Sequence, residues 1–168
     1  MNIDEHFMEM ALTQAKKAFS AGEFPVGCVI ADGHVALAHG SRCGSAGLHP
    51  NELDHAEIVS IRKLFAKGKP SNAMELSIYC TMEPCLMCFA AIILAGINRI
   101  IYAYEDVMGG GTGCSLDTLP KLYQDARIAI VPHVLRGQSL ALFKGFFSKP
   151  ENAYWKDSLL SRYTLAQE

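Results

Sequence analysis

The chain has 168 residues, which is about the length of one domain, and half of them are hydrophobic. Charged residues make up 19% of the chain, so the composition is that of an ordinary globular protein and excludes a disordered one. The net charge of −2 gives no sign of the basic surface by which proteins usually bind a large nucleic acid.

The hydrophobic runs are too short for a membrane protein. The longest run, over 92–101, is broken by Gly96, Asn98 and Arg99, and none reaches the roughly 18 residues that a membrane span needs. The N-terminal residues MNIDEH are acidic and no apolar segment follows them, so no secretory signal is visible. We therefore expect a cytoplasmic protein that has no membrane partner.

Hydrophobic periodicity and turn residues predict alternating helices and strands. In chain order they are a helix at 4–21, strands at 26–31 and 35–38, a helix at 55–65, a strand at 76–81, a helix at 84–96, a strand at 99–104, a weak helical turn at 116–123, a strand at 128–131, and helices at 138–147 and 153–165. The pair Asp32-Gly33 is a hairpin signal between the first two strands. Later strands are joined through helices, which favours parallel pairing. The order predicts an α/β fold, a three-layer α/β/α sandwich with a mixed five-stranded sheet.

The cysteines are not spaced as a disulfide framework, which belongs to small secreted domains. Cys28 and Cys80 lie inside apolar runs, so we expect buried, inert thiols. Cys85 and Cys88 are the one close pair among the six cysteines. In a reducing compartment such a pair more often indicates metal binding or redox chemistry than a structural bond.

Two motifs, His55-Ala56-Glu57 and Pro84-Cys85-Leu86-Met87-Cys88, each lie at the predicted start of a helix. Cys85 and Cys88 are three residues apart, so on a helix they face the same way, and the helix N-terminus favours their thiolates. Together with His55 they would give zinc three ligands and leave the fourth position open, as in catalytic sites.

A zinc site of this kind lowers the pKa of bound water toward about 7, and a carboxylate must then carry the proton. Glu57 is the candidate for this catalytic role. A spacing of two does not put His55 and Glu57 on one face of a regular helix, so both reach one site only if they straddle the start of the helix.

Two rival interpretations make the chain a non-catalytic zinc or redox module. A thioredoxin-like redox pair at Cys85 and Cys88 would leave His55-Ala56-Glu57 as a coincidence. A closed structural zinc would instead need Cys43 or Cys80 as its fourth ligand.

The two motifs resemble the H-x-E…P-C-x-x-C signature of the cytidine deaminase superfamily. The likeness covers about residues 4–148 and extends toward the branch that contains bacterial tRNA adenosine deaminases and guanine deaminases. The segments that carry it are 22–27, 55–58, 81–88 and 113–117. The resemblance implies a deaminase domain over 1–150, with 151–168 as a helical extension of the same domain.

By this resemblance the enzyme would release ammonia from a heteroaromatic base and hold one zinc ion per chain. Members of the branch pair through the region of the third predicted helix, so we also expect a homodimer. The apolar residues that this interface would use are Ile92, Ile93, Leu94 and Ile97.

Our expectation about the substrate comes from positions where this sequence differs from the usual pattern of the branch. The branch usually has a base-contacting asparagine after the second strand, and Ser41 stands at the corresponding position. Ser41 is therefore one candidate substrate contact. Asp106 is the other, because it follows a strand end, although capping its loop is the alternative role.

The C-terminal residues also bear on the substrate. The chain lacks the basic C-terminal helix of the tRNA enzymes, and Tyr154, Trp155 and Tyr163 either pack the last helix or provide a lid for the active site. A lid suits a small substrate. We therefore expect a small-molecule partner, a free nucleobase or nucleoside. The alternative is tRNA adenosine, which the 115–117 segment favours.

Overall fold

The computed structural model describes residues 2–47, 49–66, 68 and 76–168. Its elements, in chain order, are α1 (Ile3–Ser20), β1 (Gly27–Asp32), β2 (Val35–Ser41), α2 (Ala56–Ala66), β3 (Leu76–Met82), α3 (Leu86–Leu94), β4 (Arg99–Tyr104), a 3-10 turn (Leu116–Thr118), α4 (Lys121–Gln124), β5 (Ala129–Val131), α5 (Arg136–Phe147) and α6 (Leu159–Ala166). None of the helices described is long and apolar enough to cross a membrane.

The five strands form one mixed sheet in the order β2-β1-β3-β4-β5. β1 pairs antiparallel with β2 and β3, and β3, β4 and β5 run parallel. Parallel neighbours place their carboxyl ends at one edge, where α/β proteins usually bind ligands. The predicted α/β fold with a mixed five-stranded sheet is confirmed.

Successive side chains of the strands face two separate cores, as the pleat of a strand requires. Val29, Tyr79 and Ile101 belong to the core that contains Phe7 and Met8 of α1. The residues next to them, such as Cys28, Ile78 and Ile100, face the other core, to which α2 and α3 contribute Leu64 and Ile92. The sheet is thus enclosed between helices on both faces, in the predicted three layers.

The start of α3 differs from the prediction, which began this helix at Pro84. Cys85 has an extended backbone (φ −67°, ψ 170°) and is the residue before the first turn. An isolated antiparallel bridge to Gly110 keeps the backbone of Cys85 extended. α3 therefore begins at Leu86 and ends at Leu94, with Ala95 as its C-cap and Gly96 beyond it at φ 75°.

The last helix also begins later than predicted, at Leu159 rather than at residue 153. Trp155 and Asp157 have φ values of 55° and 59°, in the left-handed region that side chains other than glycine rarely adopt. A right-handed helix cannot pass through them. Ser158 then caps α6 by accepting a hydrogen bond from the Ser161 N–H. We call residues 153–158 the strap.

The α6 helix packs against the end of β4. Leu160 is buried in the main core, and the hydroxyls of Thr164 and Tyr104 are 3.0 Å apart in a buried hydrogen bond. The Glu105 carboxylate accepts hydrogen bonds from Tyr163 Oη (2.7 Å) and Arg136 Nε (2.8 Å). Glu105 directly follows β4, so its carboxylate connects α5 and α6 to the end of that strand.

The Glu105 network makes a prediction about stability and pH. Burial alone would raise the pKa of Glu105, but hydrogen bonds from Arg136 and Tyr163 outweigh burial and hold that pKa at about 2. A lowered pKa stabilises the fold above the unfolded-state value of about 4.3, and the stabilisation is lost as the pH falls through that value toward 2. Glu105→Gln should lower the free energy of unfolding at pH 7 by about 1.5–3 kcal/mol, and by less at pH 3.

Urea unfolding of both proteins at the two pH values measures this difference. Asp125→Asn is the matched control, because Asp125 pairs with Lys121 in a largely exposed i,i+4 ion pair. Its loss should change the free energy of unfolding by less than about 1 kcal/mol. Equal effects of the two substitutions at pH 7 would contradict this account of the Glu105 network.

Candidate active site

The two sequence motifs meet at two helix starts. His55 immediately precedes α2, and its carbonyl accepts the Val59 N–H at 2.9 Å, so it occupies the capping position. Cys85 holds the same position before α3, and Cys88 is the third residue of that helix. His55 and Glu57 therefore straddle the start of α2, as their spacing required.

Three potential ligand atoms converge between these helix starts. The Nδ1 atom of His55 lies 3.6 Å from Cys85 Sγ and 3.5 Å from Cys88 Sγ. All three ligand atoms lie within 4.8 Å of one another. With zinc bonds of about 2.0 Å to nitrogen and 2.3 Å to sulfur, a nitrogen and a sulfur on a tetrahedral ion are about 3.6 Å apart. The donor set and its spacing fit one zinc ion.

The rival zinc and redox interpretations find no support in this geometry. Among the residues described, neither Cys43 nor Cys80 joins the group that could hold an ion, so it offers three ligands rather than a closed set of four. His55 Nδ1 lies against both Cys85 and Cys88, so His55-Ala56-Glu57 is not the coincidence that a redox pair would require. Cys28 and Cys80 are fully buried, and burial raises the pKa of Cys80 well above its usual value, as expected for inert thiols.

The protonation states favour a ligand site. The hydrogen bond from Cys88, with a further one from His55, holds the pKa of Cys85 at about 4 in spite of burial. The same hydrogen bond and burial raise the pKa of Cys88, while the hydrogen bond to Cys85 raises the pKa of His55. Cys85 is therefore a thiolate at neutral pH, the form in which cysteine binds zinc.

Glu57 is buried beside these ligands, with 3% of its surface exposed. Burial raises its pKa to about 7, against the opposing effect of the His55 charge. Its Oε2 atom is buried and has no hydrogen-bond partner within the described part of the chain. Such a carboxyl can accept and release a proton near neutral pH and has one oxygen free to do so.

A cavity of about 300 Å³ opens onto this group. Its polar lining consists of His55, Glu57, Cys85, Arg42, Glu52, Glu83 and Asp106. Its apolar walls come from Phe24, Val26, Met82, Met87, Met108, Leu160 and, in the strap, Tyr154 and Trp155. A cavity of this size and lining suits one heteroaromatic ring system.

The structure does not bring Ser41 to the cavity wall, and Arg42 lines it instead. The pleat of β2 explains the difference. Gly40 faces α2 so closely that a Cβ atom there would lie 2.7 Å from the Ala56 carbonyl oxygen. Ser41 therefore points to the opposite face of the sheet, and the next residue returns to the α2 side. The same alternation, read from the sequence, would have selected Arg42.

Arg42 is almost fully buried and fixes the loop that leads to His55. Its Nη1 donates to the carbonyl oxygens of Cys43 (2.7 Å) and Asp54 (3.0 Å), and its Nη2 donates to Glu52 Oε2 (3.3 Å). The Tyr154 hydroxyl donates to the same Glu52 oxygen at 2.8 Å. Arg42 and Glu52 therefore connect the zinc-ligand segment to the strap.

Asp106 does line the cavity, and it also caps its own loop. Its Oδ1 accepts hydrogen bonds from the N–H groups of Met108 and Gly109, each at 2.9 Å, and burial raises its pKa. Glu83, for which the sequence indicated no role, accepts hydrogen bonds from the Asp106 N–H (3.1 Å) and the Thr112 N–H (3.3 Å). These carboxylates order the 106–112 loop against the start of α3. Substrate contact by Asp106 stays a prediction.

The comparison with protein families agrees with the site. A family model described as the cytidine and deoxycytidylate deaminase zinc-binding region matches residues 1–104. The chain belongs to this family. It is a zinc-binding hydrolytic deaminase, so the predicted family, reaction class and cofactor are confirmed.

The curated relatives of this deaminase cover most of its length. A tRNA-specific adenosine deaminase of Rickettsia bellii is 34% identical over 142 residues, which are 84% of this chain and 98% of the relative. One of Bacillus subtilis is 28% identical over 88% of this chain and 90% of the relative.

Solved structures give the same fold. A structure from studies of A-to-I editing by tRNA:A34 deaminases matches with a TM-score of 0.69 and 28% identity, over 82% of this chain and 98% of the other. Guanine deaminase from Nitrosomonas europaea matches with a TM-score of 0.68 over 84% of this chain and 83% of the other. It is 18% identical, so its likeness concerns the fold alone.

These relatives contradict one of our expectations. The sequence led us to expect a free nucleobase or nucleoside as the substrate, and a small molecule rather than tRNA as the partner. The relatives that align over most of the chain are instead named for tRNA. The expectation was wrong. It relied on the net charge, the missing basic C-terminal helix, Ser41 in place of the usual asparagine and a lid formed by the C-terminal aromatic residues, and none of these decides how a single base reaches the cavity.

Gly111 gives a testable consequence of the close packing beside the deaminase site. A Cβ atom at Gly111 would lie 2.6 Å from the Leu86 nitrogen and 2.8 Å from the Cys85 carbonyl carbon, so the start of α3 would have to move. We expect Gly111→Ala to lower zinc affinity by about tenfold or more, since displaced support of a ligand has effects of this size.

Competition with a chromogenic chelator measures this affinity. Gly113→Ala is the matched control, because a Cβ atom there meets no atom within 4 Å. It should bind zinc as the unchanged protein does. Equal zinc affinities for the two variants would show that the 106–112 loop does not position Cys85.

Proposed function

We propose that this deaminase converts adenosine to inosine in a tRNA anticodon, with water as co-substrate and ammonia as the second product. The observation that carries the proposal is the likeness to the Rickettsia enzyme over nearly the whole length of that relative. A tRNA substrate is also consistent with the cytoplasmic location that we expect.

In the proposed reaction, His55, Cys85 and Cys88 hold one zinc ion. Bound zinc supplies Lewis-acid activation of a water molecule. Glu57 accepts one proton from this water and delivers it to a ring nitrogen of adenine. It then takes the second proton from the oxygen added at C6 and passes it to the departing amine. Oxygen is added at C6, the C6–N bond breaks, and ammonia leaves, so the atoms balance. The buried carboxyl with its unpartnered Oε2 supports this role for Glu57.

The cavity supports recognition of one base at a time. Its volume of about 300 Å³ holds a purine ring but not an RNA loop, so the target nucleotide must turn out of its stack. The apolar walls then cover the faces of the ring, and Asp106 offers a polar group to its edge. The ribose and the neighbouring nucleotides stay outside.

This function predicts inosine formation in RNA. An anticodon stem-loop transcript with adenosine at the wobble position should yield inosine, scored by sequencing as guanosine, together with an equal amount of ammonia. Glu57→Gln should lower kcat by about 10²-fold or more and retain zinc. Glu9→Gln, on the exposed side of α1, is the control and should leave the rate unchanged.

Free nucleobases and nucleosides form the second arm of this experiment. Ammonia release from adenine, guanine, cytosine or their nucleosides, together with no inosine in any anticodon transcript, would overturn the proposed function. Full activity of Glu57→Gln on the transcript would overturn the proposed proton carrier.

We also propose that residues 1–150 and 151–168 form one folded unit that assembles as a homodimer. The buried Leu160 and Thr164 of α6 support the single unit. Ile92 of α3 and Ile97, which follows the helix, are buried within the chain, so they do not provide the surface for a partner that we expected. Leu86 and Leu94 are the contacts proposed instead, because 58% and 62% of their surfaces are exposed.

Light scattering at micromolar concentration should therefore give twice the chain mass. Leu94→Glu should give a monomer, because a charge would be buried at the interface. Leu122→Glu on α4, at a residue 60% exposed, should remain dimeric. A monomeric mass for the unchanged protein would contradict this assembly.

A further inference from the structure

A second cavity lies on the other side of the strap. It measures about 750 Å³, and its lining includes Gly47, Pro50 and Asn152. Glu52, Tyr154 and Trp155 line both this cavity and the active-site cavity. The strap is therefore a thin partition between the zinc site and a larger, more open space.

The two aromatic residues of the strap differ in how they are held. Tyr154 is fixed, because its hydroxyl donates to Glu52 and its ring packs 5.4 Å from the ring of Phe24. Trp155 contacts the Tyr154 ring at 5.8 Å, and 41% of its surface is exposed. In the described part of the chain, no hydrogen bond is made by its indole N–H. Tyr154 thus supports Trp155 from one side and leaves much of its surface open.

The backbone at Trp155 is in an uncommon conformation. A φ of 55° is a left-handed value, which a bulky residue rarely adopts. Trp155 lines the rim that the two cavities share, and strained backbone of this kind is common at ligand-binding sites.

The geometry of a flipped base explains what this rim would contact. The active-site cavity takes one base, so the adjacent nucleotides of an RNA strand must pass along its rim. A base that has lost its stacking neighbour regains stacking on an exposed aromatic ring, as in many proteins that bind single-stranded RNA. Trp155 is the large exposed ring at this rim.

We propose that Trp155 is a stacking platform for the base next to the target adenosine, and that the second cavity receives this neighbouring nucleotide. The proposal rests on the proposed function. It gives the strap a role in binding RNA, in place of the closure over a small substrate that the sequence suggested.

The chain contains a single tryptophan, so its intrinsic fluorescence reports on Trp155 alone. Titration of Glu57→Gln with the anticodon stem-loop should quench this fluorescence. Two further RNAs keep the adenosine but carry an abasic site on its 5′ or its 3′ side. One of the two should lose most of the quenching and bind about tenfold or more weakly, the usual effect of one lost base–aromatic stack.

Variants separate stacking from packing. Trp155→Phe keeps an aromatic face and should retain most of kcat/KM on the stem-loop, whereas Trp155→Leu keeps apolar bulk and should lose about tenfold or more. Leu159→Ala is the control, because Leu159 is 51% exposed beside the strap and lines neither cavity. Circular dichroism and the zinc content of each variant check that the fold is intact.

The outcomes distinguish the two proposals. If the unchanged protein forms no inosine in any RNA, the proposed function fails. If it does form inosine, but Trp155→Leu is as active and both abasic RNAs bind as the intact one does, the stacking platform is overturned. A fixed lid predicts that Trp155→Phe and Trp155→Leu lose activity equally and that neither abasic site matters.

Discussion

The packing of two helix starts against each other is the constraint on which the site depends. His55 and Cys85 both precede a first helical turn, and their ligand atoms lie 3.6 Å apart only because α2 and α3 begin at the same edge of the sheet. The helix starts are held from outside by Arg42, which bonds the Asp54 carbonyl, and by the glycine-rich loop at Gly111. The zinc site therefore depends on where the backbone places these two helix starts.

The same constraint sets the chemistry of Glu57. Because it follows His55 by two residues at a helix start, its carboxyl lies beside the ligands and under the apolar wall of the cavity. Burial brings its pKa near neutrality, and the opposing charge of His55 prevents a larger rise. A carboxylate on the exposed side of α2 would have an ordinary pKa and no reach to the ring. Position along one turn of helix thus decides which acid can serve as a proton carrier.

The helices and strands could be predicted because hydrophobic periodicity is a property of the local sequence. The zinc ligands could be predicted because the spacing of the cysteines is also local. The boundaries that failed depend on distant contacts. The bridge from Cys85 to Gly110 and the left-handed Trp155 have no signature in neighbouring residues. Ser41 was selected by aligning a motif, whereas the pleat of β2, set by the close approach of Gly40 to α2, brings Arg42 to the cavity.

Two of the grounds on which we expected a small substrate, the net charge and a lid over the cavity, do not bear on how a polymer binds. A net charge of −2 is a sum over the chain, and RNA binding depends on where its 15 basic residues lie and on which stacking surfaces are exposed. A small cavity likewise does not exclude a polymer, since only the flipped base enters the cavity and the rest of the strand stays outside. The strap then has two faces with different tasks. Its inner face completes the wall of the active-site cavity, and its outer face borders the second cavity, which the proposed neighbouring nucleotide would enter.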